Sequence, residues 1–322
     1  MANNMLKKVD HGSDLAVPDL IAEWLQYEAS RGASDTTLTA YKKSIEVFRD
    51  WVLANGLQDP GIVKPSDMRR YKNALAEQYA PQTINLRLTG ARSFFRWLVN
   101  TDRLTANPAA EIEGVKRSKS KRHKREELTS EEVRGVLQLC GKDKTPHGKR
   151  DLAILTLMAF CALRSIEINR ANMANLKTEQ DRLVLEVQGK GYKEADEIVI
   201  IPRDQEQVIR AWVAERKKIS ADGPLFVSLS NRTKGARLTL RAIRNMVKSR
   251  YALAGVVGDK KTTHSLRHSA ITNAIRNGAS PLQVQAMARH TSFDTTLGYV
   301  HAVNRIDNPA EDMIKYKFSH AI

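Results

Sequence analysis

Cysteine is almost missing from this chain: Cys140 and Cys161 are the two thiols among 322 residues, and they form no C-x-x-C pair. A disulfide framework and a zinc knuckle therefore find no support. Both cysteines lie in apolar helical stretches and are expected to act as small buried hydrophobes, which suits a reducing compartment. Long apolar runs are missing too. The longest, Leu152 to Leu163, is too short to cross a bilayer. Met1 to Asp10 is polar and has no apolar signal core, so the expected location is the cytoplasm, without a membrane partner. No G-x-x-x-x-G-K-[ST] loop is present, which argues against ATP use, and neither H-E-x-x-H nor G-x-S-x-G occurs.

Acidic residues are in deficit. Asp and Glu number 36 against 52 Lys and Arg, so the net charge is 52 − 36 = +16. Such a balance speaks of partners rather than of fold, and its usual partner is nucleic acid. Ribosome association, an anionic membrane surface or a generally basic proteome remain open on charge alone. Hydrophobic residues make up 42% and charged residues 27%, the balance of a globular protein long enough for two cores.

The apolar periodicity divides the chain. Residues 1–14 are polar and expected to be disordered. Val17, Leu20, Ile21, Trp24 and Leu25 mark a first helix. Leu38, Tyr41, Ile45, Phe48 and Val52 mark a second, with Ser34 and Asp35 as candidate caps. A short helix is predicted from Ser66 to Gln78. A stripe of Ile84, Leu88, Ala91, Phe95 and Leu98 follows Pro81, which suits a first-turn position. Residues 15–105 thus read as an all-helical domain. Its basic residues Lys42, Lys43, Arg69, Arg70, Lys72, Arg87, Arg92 and Arg96 are either a solvated face or a phosphate-contacting surface.

Residues 106–127 read as a basic linker. Seven of the ten residues from Lys116 to Arg125 are Lys or Arg, Lys121 and Arg122 among them. Such a segment either follows a DNA backbone or is a solvated spacer. A second domain, 128–322, opens at a helix capped by Thr129 or Ser130. A strongly apolar helix spans about 149–162. The period then changes to alternation at Leu183, Leu185, Val187, Ile198 and Ile200 around Gly189-Lys190-Gly191-Tyr192-Lys193, a β-hairpin. The remainder reads as helical, with a tail from about residue 302. The fold class is mainly α with a small β-hairpin in an α+β second domain.

Several polar residues stand out in this second domain. Arg164 is placed at the end of the apolar helix, where a charge must be paired or used. Glu167, three residues on, is positioned to hold it. His264 and Arg267 share a helix face, and an imidazole beside a guanidinium suits a phosphate. His290 and Tyr299 are nine residues apart and would face opposite sides of one helix. A turn at Thr291–Asp294, with Asp294 capping a new helix, would bring them together. Taken singly, each has a structural reading: an Arg–Glu pair, a chance H-x-x-R, a half-buried aromatic.

Taken in order, these segments resemble the tyrosine recombinases, the phage integrase family. Ala162-Leu163-Arg164 with Glu167 is similar to the family's A-L-R-x-x-E. Gly189-Lys190-Gly191 with Lys193 is similar to its lysine hairpin, and His264-Ser265-Leu266-Arg267-His268 to its H-x-L-R-H. His290 with Thr295, Thr296, Tyr299 and His301 is similar to its final segment. The likeness spans about 128–301 and, more loosely, 15–105. Arg289 departs from it, because the family usually has glycine before that histidine. Arg289 is expected to face solvent, with a contact to DNA or a neighbouring subunit left open.

The resemblance implies a site-specific recombinase that needs no metal or other cofactor. Tyr299 would attack a DNA phosphodiester to form a 3′-phosphotyrosyl link. Arg164, Arg267 and His290 would stabilise the transition state, with Glu167 in support. Lys190, or failing it Lys193, would protonate the leaving 5′-oxygen, and His264 would assist proton transfer at the phenol. The implied partners are double-stranded DNA at a specific site, a homotetramer on two duplexes, and accessory DNA-bending proteins. The tail would dock on a neighbouring subunit or on its own domain. The space before residue 15 leaves little room for an arm-site domain. A type IB topoisomerase-like enzyme and a non-catalytic architectural DNA-binding protein are the alternatives.

Overall fold

The apolar stripes of the first hundred residues become helices, and those after the first have a recognisable start. The computed structural model describes residues 17–116, 126–188, 195–216, 220–301 and 303. The start expected to be disordered, Lys121 and Arg122 of the expected linker, Lys190 and Lys193 of the expected hairpin loop, and nearly all of the expected tail lie outside these residues. The chain divides into two compact units, 1–119 and 120–322.

In the first unit the helices are α1 (Val17–Ser30), α2 (Asp35–Ala54), α3 (Pro65–Gln78) and α4 (Pro81–Asn100). The Ser34 side chain accepts from Thr37 N–H and so caps α2, while Pro81 takes the first turn of α4, where no N–H donor is needed. All five residues of the predicted α4 stripe are buried. They meet Trp24, Phe48, Tyr71 and Phe94 in one aromatic-rich core. Pairs such as Phe48–Tyr71 and Phe48–Phe95 meet edge to face, the arrangement the ring quadrupole favours. α2 and α4 touch at Gly90, where an added Cβ would lie 2.5 Å from Ser44 Cβ.

The expected linker starts later than residue 106. Ala109 and Ile112 are buried in the first core, and Asn85 ties Val115 through both its N–H and its C=O. Small apolar residues spaced for burial outweigh the local lack of periodicity. Arg92 belongs to the same correction. Its guanidinium donates to the Ile112 carbonyl and so fastens this segment to α4, rather than facing a phosphate.

In the second unit, Thr129 and Glu132 form a reciprocal capping box at the start of α5 (Ser130–Lys142). α6 (Pro146–Phe160) is buried along most of its length, as its composition predicts. The short α7 (Ser165–Arg170) follows, then an antiparallel sheet of β1 (Leu176–Glu179), β2 (Arg182–Gln188) and β3 (Ala195–Ile200), in the order β1-β2-β3. The hairpin was predicted as β2 and β3. β1 is an additional edge strand, too short and polar to show a period. Leu185 faces Val199 in register, and the buried side of β3 is Val199, continued by Ile201; Ile198 and Ile200 are exposed.

The remaining helices are α8 (Arg203–Glu215), α9 (Leu240–Leu253), α10 (Thr263–Arg276), α11 (Pro281–Ala288) and α12 (Phe293–Val300). A main core joins α5, α6, α8, α9 and the sheet, and a smaller one joins Ala162, Ile271, Val284, Ala288 and Tyr299. Cys140 and Cys161 are buried free thiols, as expected. No helix among the described residues is long and apolar enough to cross a membrane.

Candidate active site

Arg164 does not end the apolar helix; it starts the next one. α6 stops at Phe160, Ala162 turns the chain with φ 51°, and Arg164 is the N-cap of α7. Glu167 holds it twice. One carboxylate oxygen accepts the Arg164 N–H at 2.7 Å, and the other accepts from Arg164 Nη1 at 2.7 Å. Arg164 Nη2 donates to the Arg289 carbonyl at 3.0 Å. The backbone cap and the ion pair therefore fix one guanidinium against one buried carboxylate.

Arg267 enters from α10 and is buried. Its two Nη atoms donate to the carbonyls of Ala162 and Ala288, just beyond the end of α6 and at the end of α11. Helix C-termini carry unsatisfied carbonyls and partial negative charge, so a guanidinium sits well there. Burial and the neighbouring Arg164 push the Arg267 pKa down to about 9, and the group remains a cation at neutral pH.

Between α11 and α12 the chain breaks as predicted, but the cap differs. Ser292 occupies the N-cap position without a side-chain bond, and Asp294 lies in the first turn, where its charge still favours the helix N-terminus. The break places the His290 ring parallel to the Tyr299 ring, with centroids 5.8 Å apart. His290 Nδ1 is 2.9 Å from the hydroxyl of the fully buried Thr296. Burial and three arginines, Arg267, Arg164 and Arg289, lower the His290 pKa to about 4.

Tyr299 is 6% exposed, and its hydroxyl is 2.6 Å from His268 Nδ1. His268 had no role in the sequence reading. Its signal was spacing: four residues after His264, it falls on the same face of α10. His264 stands exposed in the first turn of α10. Lys190 lies outside the described residues, whereas Arg164, Glu167, Arg267, His290 and Tyr299 come together.

Arg289 corrects the expectation of a solvent-facing charge. Its side chain is 4% exposed and pairs with Glu167 at 2.8 Å. A lone arginine is ordinarily a surface residue. The C-cap turn instead takes φ 52° and ψ 53°, which sends the side chain back under the helix end. Burial opposes the charge on Glu167, but Arg289 and Arg164 outweigh it and hold its carboxyl below the usual range.

The match to the phage integrase family covers residues 126–305, more than half of the chain, and a match to the phage integrase N-terminal SAM-like domain covers 21–102. The chain belongs to the phage integrase family. The tyrosine recombinase XerC of Rhodospirillum centenum is 31% identical over 284 residues, covering 86% of this chain and 80% of that protein. XerC of Thermodesulfovibrio yellowstonii is 28% identical over 279 residues, covering 84% and 87%. The XerH site-specific recombinase, solved bound to a palindromic difH substrate after cleavage, has the same fold. Its TM-score is 0.75 at 16% identity, over 94% of this chain and 98% of that one. The Tn1549 transposon integrase, solved with circular intermediate DNA, aligns at a TM-score of 0.66 and 20% identity over 94% and 100%.

Within this phage integrase family chain, the N-terminal basic residues divide by environment. Lys42, Lys43, Arg69 and Arg96 are exposed, and Lys72 is half-buried. Arg70 is exposed but bonded to Asp67 and Asn55, and Arg87 lies 5.7 Å from the Tyr79 ring centroid.

Proposed function

We propose that this chain is a site-specific DNA recombinase that cuts and rejoins DNA through a 3′-phosphotyrosyl intermediate on Tyr299. The observation that carries the reading is the Tyr299 phenol, bonded to His268 at 2.6 Å and stacked on His290, in a pocket of guanidiniums. A phenol with an ordinary pKa of about 10 needs an acceptor to become a nucleophile, and His268 is placed to take that proton, with His264 assisting one turn earlier. The Tyr299 oxygen then bonds to phosphorus as the P–O5′ bond breaks. Lys190 protonates the departing 5′-oxygen, with Lys193 as the alternative donor. Arg164 and Arg267 neutralise the non-bridging oxygens of the pentacoordinate state, and neutral His290 adds a hydrogen bond.

The phosphotyrosine keeps the phosphodiester energy, so religation to a second 5′-hydroxyl needs no nucleotide. Lys42, Lys43, Arg69 and Arg96, with Lys121 and Arg122, are proposed to contact the DNA backbone, and a tetramer on two duplexes is the proposed working assembly. Nicked suicide duplexes of randomised sequence test the reading. Wild type is expected to trap a covalent DNA adduct, and Tyr299→Phe to bind DNA without one. An adduct that survives Tyr299→Phe, or a wild type that traps nothing from any duplex, overturns it. Mixing two labelled duplexes then separates strand exchange from relaxation of a single duplex.

A further inference from the structure

Arg289 adopts a backbone conformation that L-residues avoid, at a position where glycine would be free of strain. Its side chain spends its donors inside the protein. Nη2 bonds Glu167 Oε2 at 2.8 Å and the Ala162 carbonyl at 3.2 Å. Nη1 bonds the Met287 carbonyl at 2.7 Å, and Nε faces Glu167 Oε1 at 3.4 Å. The same residue's carbonyl accepts from Arg164 Nη2 at 3.0 Å. Side chain and main chain thus reach Arg164 from two directions, one of them through Glu167. A side chain 4% exposed and so fully committed is not aimed at DNA.

We propose that Arg289 is a positioning residue for strand cleavage: it clamps Glu167 so that the carboxylate holds Arg164 in the orientation that meets the scissile phosphate. This rests on the recombinase reading above. Without Arg289, Glu167 would keep only one directly bonded guanidinium and could rotate, and Arg164 would lose a fixed partner. The other charged and titratable groups facing the Arg289–Glu167 pair are Arg267 from α10, which senses both, and His290 from the α11–α12 turn, Cys161 from the end of α6 and Glu197 from β3, which face Arg289; the Glu197 carboxylate is 3.8 Å from Arg289 Nε. Removing Arg289 leaves burial, which raises Glu167, opposed chiefly by Arg164, so the carboxyl titrates at higher pH.

The test uses the full-length protein and a trapping duplex that wild type cleaves. Arg289→Gly removes the side chain at a site glycine tolerates. Its single-turnover cleavage at saturating protein is expected to fall by at least about tenfold, roughly the effect of one lost hydrogen-bonded contact to a charged group, with DNA affinity little changed. The acid limb of its cleavage profile should move to higher pH. In a Glu167→Gln background the second change should cost no further rate, because the clamp acts through that carboxylate. Arg289→Lys keeps a cation near Glu167 and should retain the wild-type acid limb while recovering part of the rate. It also carries the test if Arg289→Gly loses its cooperative melting transition. An unchanged rate, a loss confined to affinity, or additive losses with Glu167→Gln would overturn the proposal. Failure of wild type to form any adduct sinks the recombinase reading instead.

Discussion

His290 should stay neutral from about pH 5 upward, unlike an ordinary histidine. Burial and three arginines lower its pKa from 6.5 to about 4 in the free protein. At pH 7 about one imidazole in a thousand would then carry the second proton. Because the folded value lies below the unfolded one, the stabilisation is fully present above about pH 6.5 and is lost as the pH falls toward 4. At about 1.4 kcal/mol per tenfold, the ceiling is about 3.4 kcal/mol. His290 is only part-buried, and solvent screening reduces this to about 1–2 kcal/mol. Its Nδ1 lies 2.9 Å from the Thr296 hydroxyl. If that hydroxyl donates, the neutral ring must carry its proton on Nε2. The assay is imidazole ¹³C and ¹⁵N chemical shift against pH, with His290→Gln assigning the resonance among the eight histidines. A midpoint near 4 and an Nε2–H tautomer at pH 7 are expected. A midpoint above about 5.5 would show that the arginine cluster does not act on this ring as described, and an Nδ1–H form would show that the Thr296 hydroxyl accepts from the ring rather than donating to it.

Two further outcomes concern the scaffold. Asp151 accepts from Arg150 with one carboxylate oxygen and from Arg250 with the other, all at 2.7–3.0 Å and largely buried. Asp151→Asn leaves Arg150 without a carboxylate and Arg250 with Asp143 alone, and should destabilise the second unit by about 3 kcal/mol, read as a lower denaturant midpoint in circular dichroism. Gly90→Ala forces α2 and α4 apart at Ser44 and should cost about 1–3 kcal/mol, seen as a lower melting temperature of the first unit; an unchanged temperature would mean the helices separate without loss.

The helices were legible because their apolar stripes and caps agree. Ile84 to Leu98 repeats on one face, Pro81 starts it, and the core follows. β1 was not legible, since Leu176–Glu179 is an edge strand with one apolar residue, defined by pairing with β2 rather than by its own pattern. The packed stretch around Ala109 and Ile112 was hidden because the residues that fasten it, Asn85 and Arg92, lie in α4, a tertiary fact. At the site, Arg164, Arg267, His290 and Tyr299 were found by residue type and order. His268 and Thr296 stood in the family-like segments without a role, because a second histidine and a threonine carry little signal of their own until the fold aims them. Arg289 was misplaced for a sharper reason. A lone arginine is ordinarily assigned to solvent, and here a left-handed cap turns it inward toward the Glu167 carboxylate of α7.

That inward turn changes what the site is before DNA arrives. Arg164, Arg267 and Arg289 converge on one buried carboxylate, Glu167, with Glu197 at the margin. Carbonyls at or just past the ends of α6 and α11 share the load, since dipoles can solvate guanidiniums where water is scarce. Dipoles do not cancel net charge, however, and the cluster remains cationic. Burial first, and that repulsion after it, lower the Arg267 and His290 values. A phosphodiester oxygen entering beside Tyr299 would relieve it, and the dianionic charge of a pentacoordinate phosphate would relieve it further. On the proposed chemistry at Tyr299, the repulsion built into the free site would be largest where the substrate is absent and smallest at the transition state. This is the direction of change that accelerates a reaction rather than merely tightening binding.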